Sequence, residues 1–170
     1  MGTDEDYFYG RPNGPPDVLV IHTMAGYLAG TDSTFNDVSR DASTHYGISL
    51  DGRIHQYVRL EDCAWGNGVL EAGQRWTGHY GRPGVSPNYR TVSIETEDRA
   101  TPATTPVSDA LYAATLALAK HVILPRYPSI RSVTGHHVIS PQSRPGCPGR
   151  RWTDGRIQAL AQELGLELFI

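Results

Sequence analysis

The sequence predicts an α/β domain built on one mixed central β-sheet flanked by helices. Three observations carry this. Asp17-Val-Leu-Val-Ile-His-Thr23 is a β-branched apolar run of the kind that forms a strand buried on both faces. Arg90 to Glu97 (RTVSIETE) alternates in side-chain type as a second strand does. Two amphipathic stretches, starting near Ser108 and Thr153, are long enough to be helices that cover a sheet.

Taken in order, residues 1–16 are acidic and rich in Pro and Gly and read as an extended N-terminal arm, with the domain proper spanning 17–170. Ser33 to Arg40 is a short helix candidate. Ser43–Leu50 and Arg53–Val58 read as a hairpin closed by Asp51-Gly52, a pair that tolerates the positive φ of a two-residue turn. The Gly-rich stretch 69–89 has no periodicity and is long for a loop, as binding loops often are. In 90–97, Val92, Ile94 and Thr96 share one face, and Ser93, Glu95 and Glu97 the other. Ser108 caps a helix whose seam is Leu111, Thr115, Leu118 and Val122, widened by Tyr112, Leu116 and Ile123 and ended at Pro125. Residues 131–150 read as a loop punctuated by proline and glycine. A last helix buries Ile157, Leu160, Ala161 and Leu164 and is closed by Gly165. The apolar ending LELFI reads as a sign of truncation or of a partner.

Bulk properties bound the function. The chain has 170 residues, 39% hydrophobic and 19% charged, with net charge −3, which suits one globular domain. No Lys/Arg stripe is present, so no nucleic-acid partner is expected. No apolar run is of membrane-spanning length, and the N-terminus lacks a secretory signal pattern, so neither membrane insertion nor a leader is expected. The two cysteines, Cys63 and Cys147, are expected to be reduced.

Three features point to chemistry: His22 at the end of the first strand, the pair His136-His137, and Cys147 in a Pro/Gly-rich turn. A catalytic zinc site takes three ligands from His, Cys or carboxylate and keeps one position open. A lone strand-end histidine is commonly a core residue, and a lone cysteine a small hydrophobe. Spacing alone leaves the metal reading open, and does not say which of His136 and His137 would bind.

The ordered set VIHT (20–23), STHYGISLDGRIHQYV (43–58), AWGNG (64–68), TVSIE (91–95), GHH (135–137) and CPG (147–149) resembles the type-2 N-acetylmuramoyl-L-alanine amidases. That family includes phage lysins, autolysin amidases and peptidoglycan recognition proteins, and the motifs are most similar to lysins of actinobacterial phages. The resemblance implies a peptidoglycan recognition protein/amidase-like fold and zinc held by His22, His136 and Cys147, with His137 as a neighbour. It implies hydrolysis of the amide between N-acetylmuramic acid and L-alanine in bacterial peptidoglycan.

Family members that use a Tyr before the His of the second strand, or a Lys two residues before the Cys, differ from this chain, which has Thr44 and Pro145 there. The family's glutamate alternative falls on Glu95, the candidate general base. Arg144 is a candidate for stabilising the oxyanion, and His45 for orienting substrate or donating to that oxygen. Trp65, Thr44, His137, Trp76 and Tyr80 are candidate substrate contacts. A non-catalytic peptidoglycan-binding module and a cytosolic enzyme recycling anhydromuropeptides are the competing readings. A monomer is expected; as a phage lysin it would stay in the host cytoplasm until lysis.

Overall fold

The computed structural model describes residues 6–37, 39–76, 84–98, 106–149, 151–152 and 154–170. Its six-stranded sheet joins β2 (Val18–Thr23), β3 (Tyr46–Ile48), β4 (Ile54–Gln56), β6 (Thr91–Thr96), β7 (Ser132–Gly135) and β8 (Glu167–Phe169). They lie in the order β4-β3-β6-β2-β7-β8. All neighbours are parallel except the β3–β4 hairpin. A two-stranded ribbon pairs β1 (Tyr7–Phe8) with β5 (Cys63–Ala64).

β2 is central because Val18, Leu19, Val20 and Ile21 have no solvent exposure, so both its faces need cover. Leu19 and Ile21 join Val92, Ile94 and Val133 in the main core. Val18 and Val20 face the other way, against Trp76 and Ile139. The main core is closed by α2 (Asp109–Leu118) and α3 (Asp154–Leu164). Ser108 caps α2 by accepting from the Leu111 N–H at 3.2 Å. Gly165, at φ 67°, lets the chain leave α3 and enter β8.

Several elements depart from expectation. The hairpin strands are shorter than 43–50 and 53–58, although Gly52 does take the positive φ of the turn, 88°. The first helix, α1, spans Leu28–Phe35 and is not centred on 33–40; it buries Leu28, Thr31 and Phe35 on one side. The helical seam shifts after Leu118, where Ala119–Ile123 form a π-helical turn. The wider turn rotates Ile123 fully inward and leaves Val122 46% exposed, so Val122 is not part of the seam. The stretch 131–150 is not all loop, because it contains β7, and LELFI supplies β8, whose pairing with β7 accounts for its apolar character. Both cysteines are free. No helix among the described residues is long and apolar enough to cross a membrane.

Candidate metal centre and catalytic cleft

The site stands where the parallel strands end. In the β2–β6 register His22 lies opposite Glu95, and in β2–β7 Ile21 lies opposite Gly135. His136 follows Gly135 directly, so His22, Glu95 and His136 come level at the carboxyl edge of three adjacent strands. That edge is where ligands bind in sheets of this kind. The two-residue period puts His22 on the Val18/Val20 face, away from the main core.

Cys147 arrives from the turn after the short 3-10 helix His136–Val138. The turn is tied by Arg144 N–H to Ser140 O (2.9 Å) and Cys147 N–H to Arg144 O (3.1 Å). It docks against Gly135, where a Cβ would come within 2.6 Å of Pro148 Cδ and 2.7 Å of His137 Nδ1. Only glycine permits that approach. The result brings one ligand atom each of His22, His136 and Cys147 within 4.8 Å of one another. The two imidazole centroids are 4.4 Å apart.

The donor set fits zinc. Two imidazole nitrogens and one thiolate are three of the four ligands of a catalytic zinc site. His136 Nε2 lies 3.2 Å from Asn67 O, which only accepts, so Nε2 carries the proton and Nδ1 keeps a lone pair. His22 Nε2 is buried with no hydrogen-bond partner. Burial holds the His22 pKa well below the ordinary range, helped by His136. Burial likewise takes His136 down to about 4. Both rings are therefore neutral at pH 7, the form that binds a metal. Burial, then the Glu95 charge, push the Cys147 thiol up to about 12. A cation among the three would reverse that penalty on the thiolate.

Glu95 Oε1 lies 3.9 Å from His22 Nδ1, and Oε2 is buried without a partner. Burial, then repulsion from Asp98, raise the Glu95 pKa to about 8, against the opposing pull of Arg144. A carboxyl group poised near neutrality is suited to taking and returning a proton. Glu95, Arg144 and Trp65 line, with the three candidate ligands, a cleft of about 740 Å³. Arg144 is exposed at its rim.

Other expected site residues are not brought to the cleft. His45 is fully buried; Ser93 N–H donates to its Nδ1 at 3.0 Å, so Nε2–H donates to Asp62 O at 3.2 Å. Its ring is a buried brace with no face toward the cleft, where the sequence placed it. Thr44 is also buried, its hydroxyl donating to Ser93 O at 3.0 Å, and makes no cleft surface. Trp76 is 1% exposed in the small core with Val18, Val20 and Ile139, where it supports the sheet. His137 Nδ1 donates to Cys147 O at 2.9 Å and so braces the cysteine turn. Tyr80 lies outside the described residues.

Sequence reasoning passed over two residues that matter here. Asn67, fully buried within AWGNG, lies against His136. Glu71 accepts from the N–H groups of Gln142 (2.7 Å) and Ser143 (3.0 Å), holding the turn that carries Arg144. Asn67 is the polar residue of AWGNG; nothing in the sequence marks Glu71.

With this geometry in place, comparison with known proteins is direct. The sequence model of the N-acetylmuramoyl-L-alanine amidase family matches residues 12–150. N-acetylmuramoyl-L-alanine amidase A of Achromobacter lyticus is 31% identical over 93 residues, 54% of this chain. The match spans 43% of that relative's length. Among solved structures, a selenomethionine derivative of AmpD matches with a TM-score of 0.72 at 26% identity, covering 94% of this chain and 92% of the other. The endolysin amidase LysCS of Clostridium intestinale shares the fold, with a TM-score of 0.62 at 16% identity over 98% and 94% of the two chains. The family match covers most of the chain and includes the strand-end histidines and the cysteine turn: the chain belongs to the N-acetylmuramoyl-L-alanine amidase family.

Proposed function

We propose that this chain is a zinc-dependent amidase that cleaves the bond between the lactyl carbonyl of N-acetylmuramic acid and the nitrogen of L-alanine in bacterial peptidoglycan. The observation that carries the reading is the convergence of His22, His136 and Cys147 within 4.8 Å beside a buried, unpartnered Glu95 oxygen. Those three residues would hold the metal. When bound, zinc supplies a Lewis acid and makes water a nucleophile at neutral pH.

The protein's own residues do the rest. Glu95 takes a proton from the attacking water as its oxygen bonds to the lactyl carbonyl carbon. The same carboxyl then delivers that proton to the alanine nitrogen as the C–N bond breaks, so the amine leaves neutral. Arg144, at the rim, supplies positive charge toward the oxygen that becomes negative. Trp65 forms a wall of the cleft for the substrate.

The motif resemblance supports a wall-degrading endolysin of phage origin, acting as a monomer and held in the host cytoplasm until lysis. The agreement with AmpD over nearly the whole of both chains favours a second reading, an amidase of soluble anhydromuropeptides. Mass spectrometry of products decides. Intact walls and soluble anhydromuropeptides are each digested with wild-type protein and with Glu95→Gln. New L-alanine amino termini are expected from walls, with turnover about 10²- to 10⁴-fold lower in the variant at unchanged zinc content. Release from soluble fragments alone supports the second reading. Wall binding without new amino termini, or near-full activity of Glu95→Gln, overturns the proposed chemistry.

A further inference from the structure

Asn67 offers a backbone oxygen to the His136 ring and a buried, unpartnered side-chain oxygen. Its backbone O receives His136 Nε2–H at 3.2 Å, and Ser140 Oγ at 3.3 Å. Its side chain is fixed from the opposite side, with Nδ2 donating to Thr91 Oγ1 at 2.8 Å and Ser93 Oγ at 3.3 Å. Its backbone N–H donates to Asn88 Oδ1 at 2.9 Å. The residue has no solvent exposure, and its Oδ1 is buried without a partner. His22 Nε2 is the matching orphan. The Asn67 side chain also raises the His22 pKa against the larger effect of burial, which makes the two orphaned groups neighbours.

Gly66 makes this approach possible. A Cβ there would come within 2.9 Å of Ser43 O and 3.3 Å of Ser93 Oγ, so a glycine lets the segment press onto the sheet and carry Asn67 under the site.

We infer that Asn67 is a positioning residue for both candidate histidine ligands: its backbone carbonyl fixes His136 and its side-chain oxygen takes the Nε2–H of His22. Each ring is then held in the Nε2–H form and presents Nδ1 to the metal. A hydrogen bond on the far nitrogen of a ligating imidazole sets its tautomer and its orientation. One buried residue serves both rings here. The inference rests on the proposed metal site.

The test is zinc affinity, measured by competition with a chromophoric chelator on the full chain, for wild type, Asn67→Ala and Asn67→Asp. Asn67→Ala removes the side-chain oxygen and keeps the carbonyl; it should weaken zinc by about 10- to 100-fold. Asn67→Asp restores an acceptor and should recover most of that loss, which a packing role would not predict. In zinc-loaded protein labelled with ¹⁵N-histidine, His22 should appear as the Nε2–H tautomer in wild type, with that proton exchanging faster in Asn67→Ala. Wild-type protein that binds no zinc refutes the metal site itself. Zinc bound by wild type and Asn67→Ala with equal affinity, or a His22 protonated on Nδ1, refutes only the role of Asn67.

Discussion

His45 gives the sharpest contrast between a catalytic and a structural reading, through its proton. Its two nitrogens are committed, Nδ1 as acceptor from Ser93 N–H and Nε2–H as donor to Asp62 O. Protonating Nδ1 would set two donors against each other, and Arg11 Nη2 already stands 3.0 Å from Nε2. Burial first, and the Arg11 charge second, lower the His45 pKa from its ordinary 6.5 to about 3. The sign follows. Above pH 6.5 the ring is neutral in both folded and unfolded chains and contributes no pH dependence. Below it the unfolded chain binds a proton that the folded chain refuses, so stability falls with pH until about 3. Between about pH 7.5 and 4.5 the loss from this one ring is about 3 kcal/mol.

Urea unfolding of metal-free wild type and His45→Gln at those two pH values isolates it, because His22 and His136 titrate in both proteins and cancel in the difference. Wild type should lose about 3 kcal/mol more than the variant on acidification. Parallel losses in the two proteins would refute the reasoning. At neutral pH, turnover per folded His45→Gln molecule should stay within a few-fold of wild type; a collapse at constant zinc content would return His45 to the chemistry.

Two further outcomes follow from packing. Trp76→Ala should lower stability by about 3–5 kcal/mol in thermal unfolding; an unchanged melting temperature with a raised KM would make Trp76 a substrate contact after all. Ile123→Ala should cost about 2–5 kcal/mol, while Val122→Asn stays within about 0.5 kcal/mol; equal costs in denaturant titrations would mean the π turn does not set that face.

Much of the frame was legible because it obeys local rules. Val18–Ile21 is apolar on both faces and had to be central, and Ser108 announced its helix by its capping hydroxyl. The convergence of His22, His136 and Cys147 was legible only through the order of the motifs, since strand register brings the histidines level and a turn brings the cysteine, neither of which spacing encodes. β7 was missed because Ser132 and Thr134 are polar yet buried, so its four residues show no apolar run. The burial of His45 and Trp76 was hidden for one reason. Each stands in a stretch that looks exposed locally, and each is covered by chain distant in sequence: Arg11 and Asp62 at His45, Ile139 at Trp76. The shift from Val122 to Ile123 was invisible because a π turn adds a residue without a sequence mark.

The alternation along β2 has a consequence for how this protein tolerates change. Leu19 and Ile21 point down while Val20 and His22 point up, so a single-residue deletion or insertion within 18–21 would exchange the two sets. After an insertion the imidazole would be driven into oil and an isoleucine would stand beside His136 and Cys147, with no later residue of the strand free to correct the slip. Substitutions there can be graded; a frame error of one cannot, and it would abolish core and chemistry together.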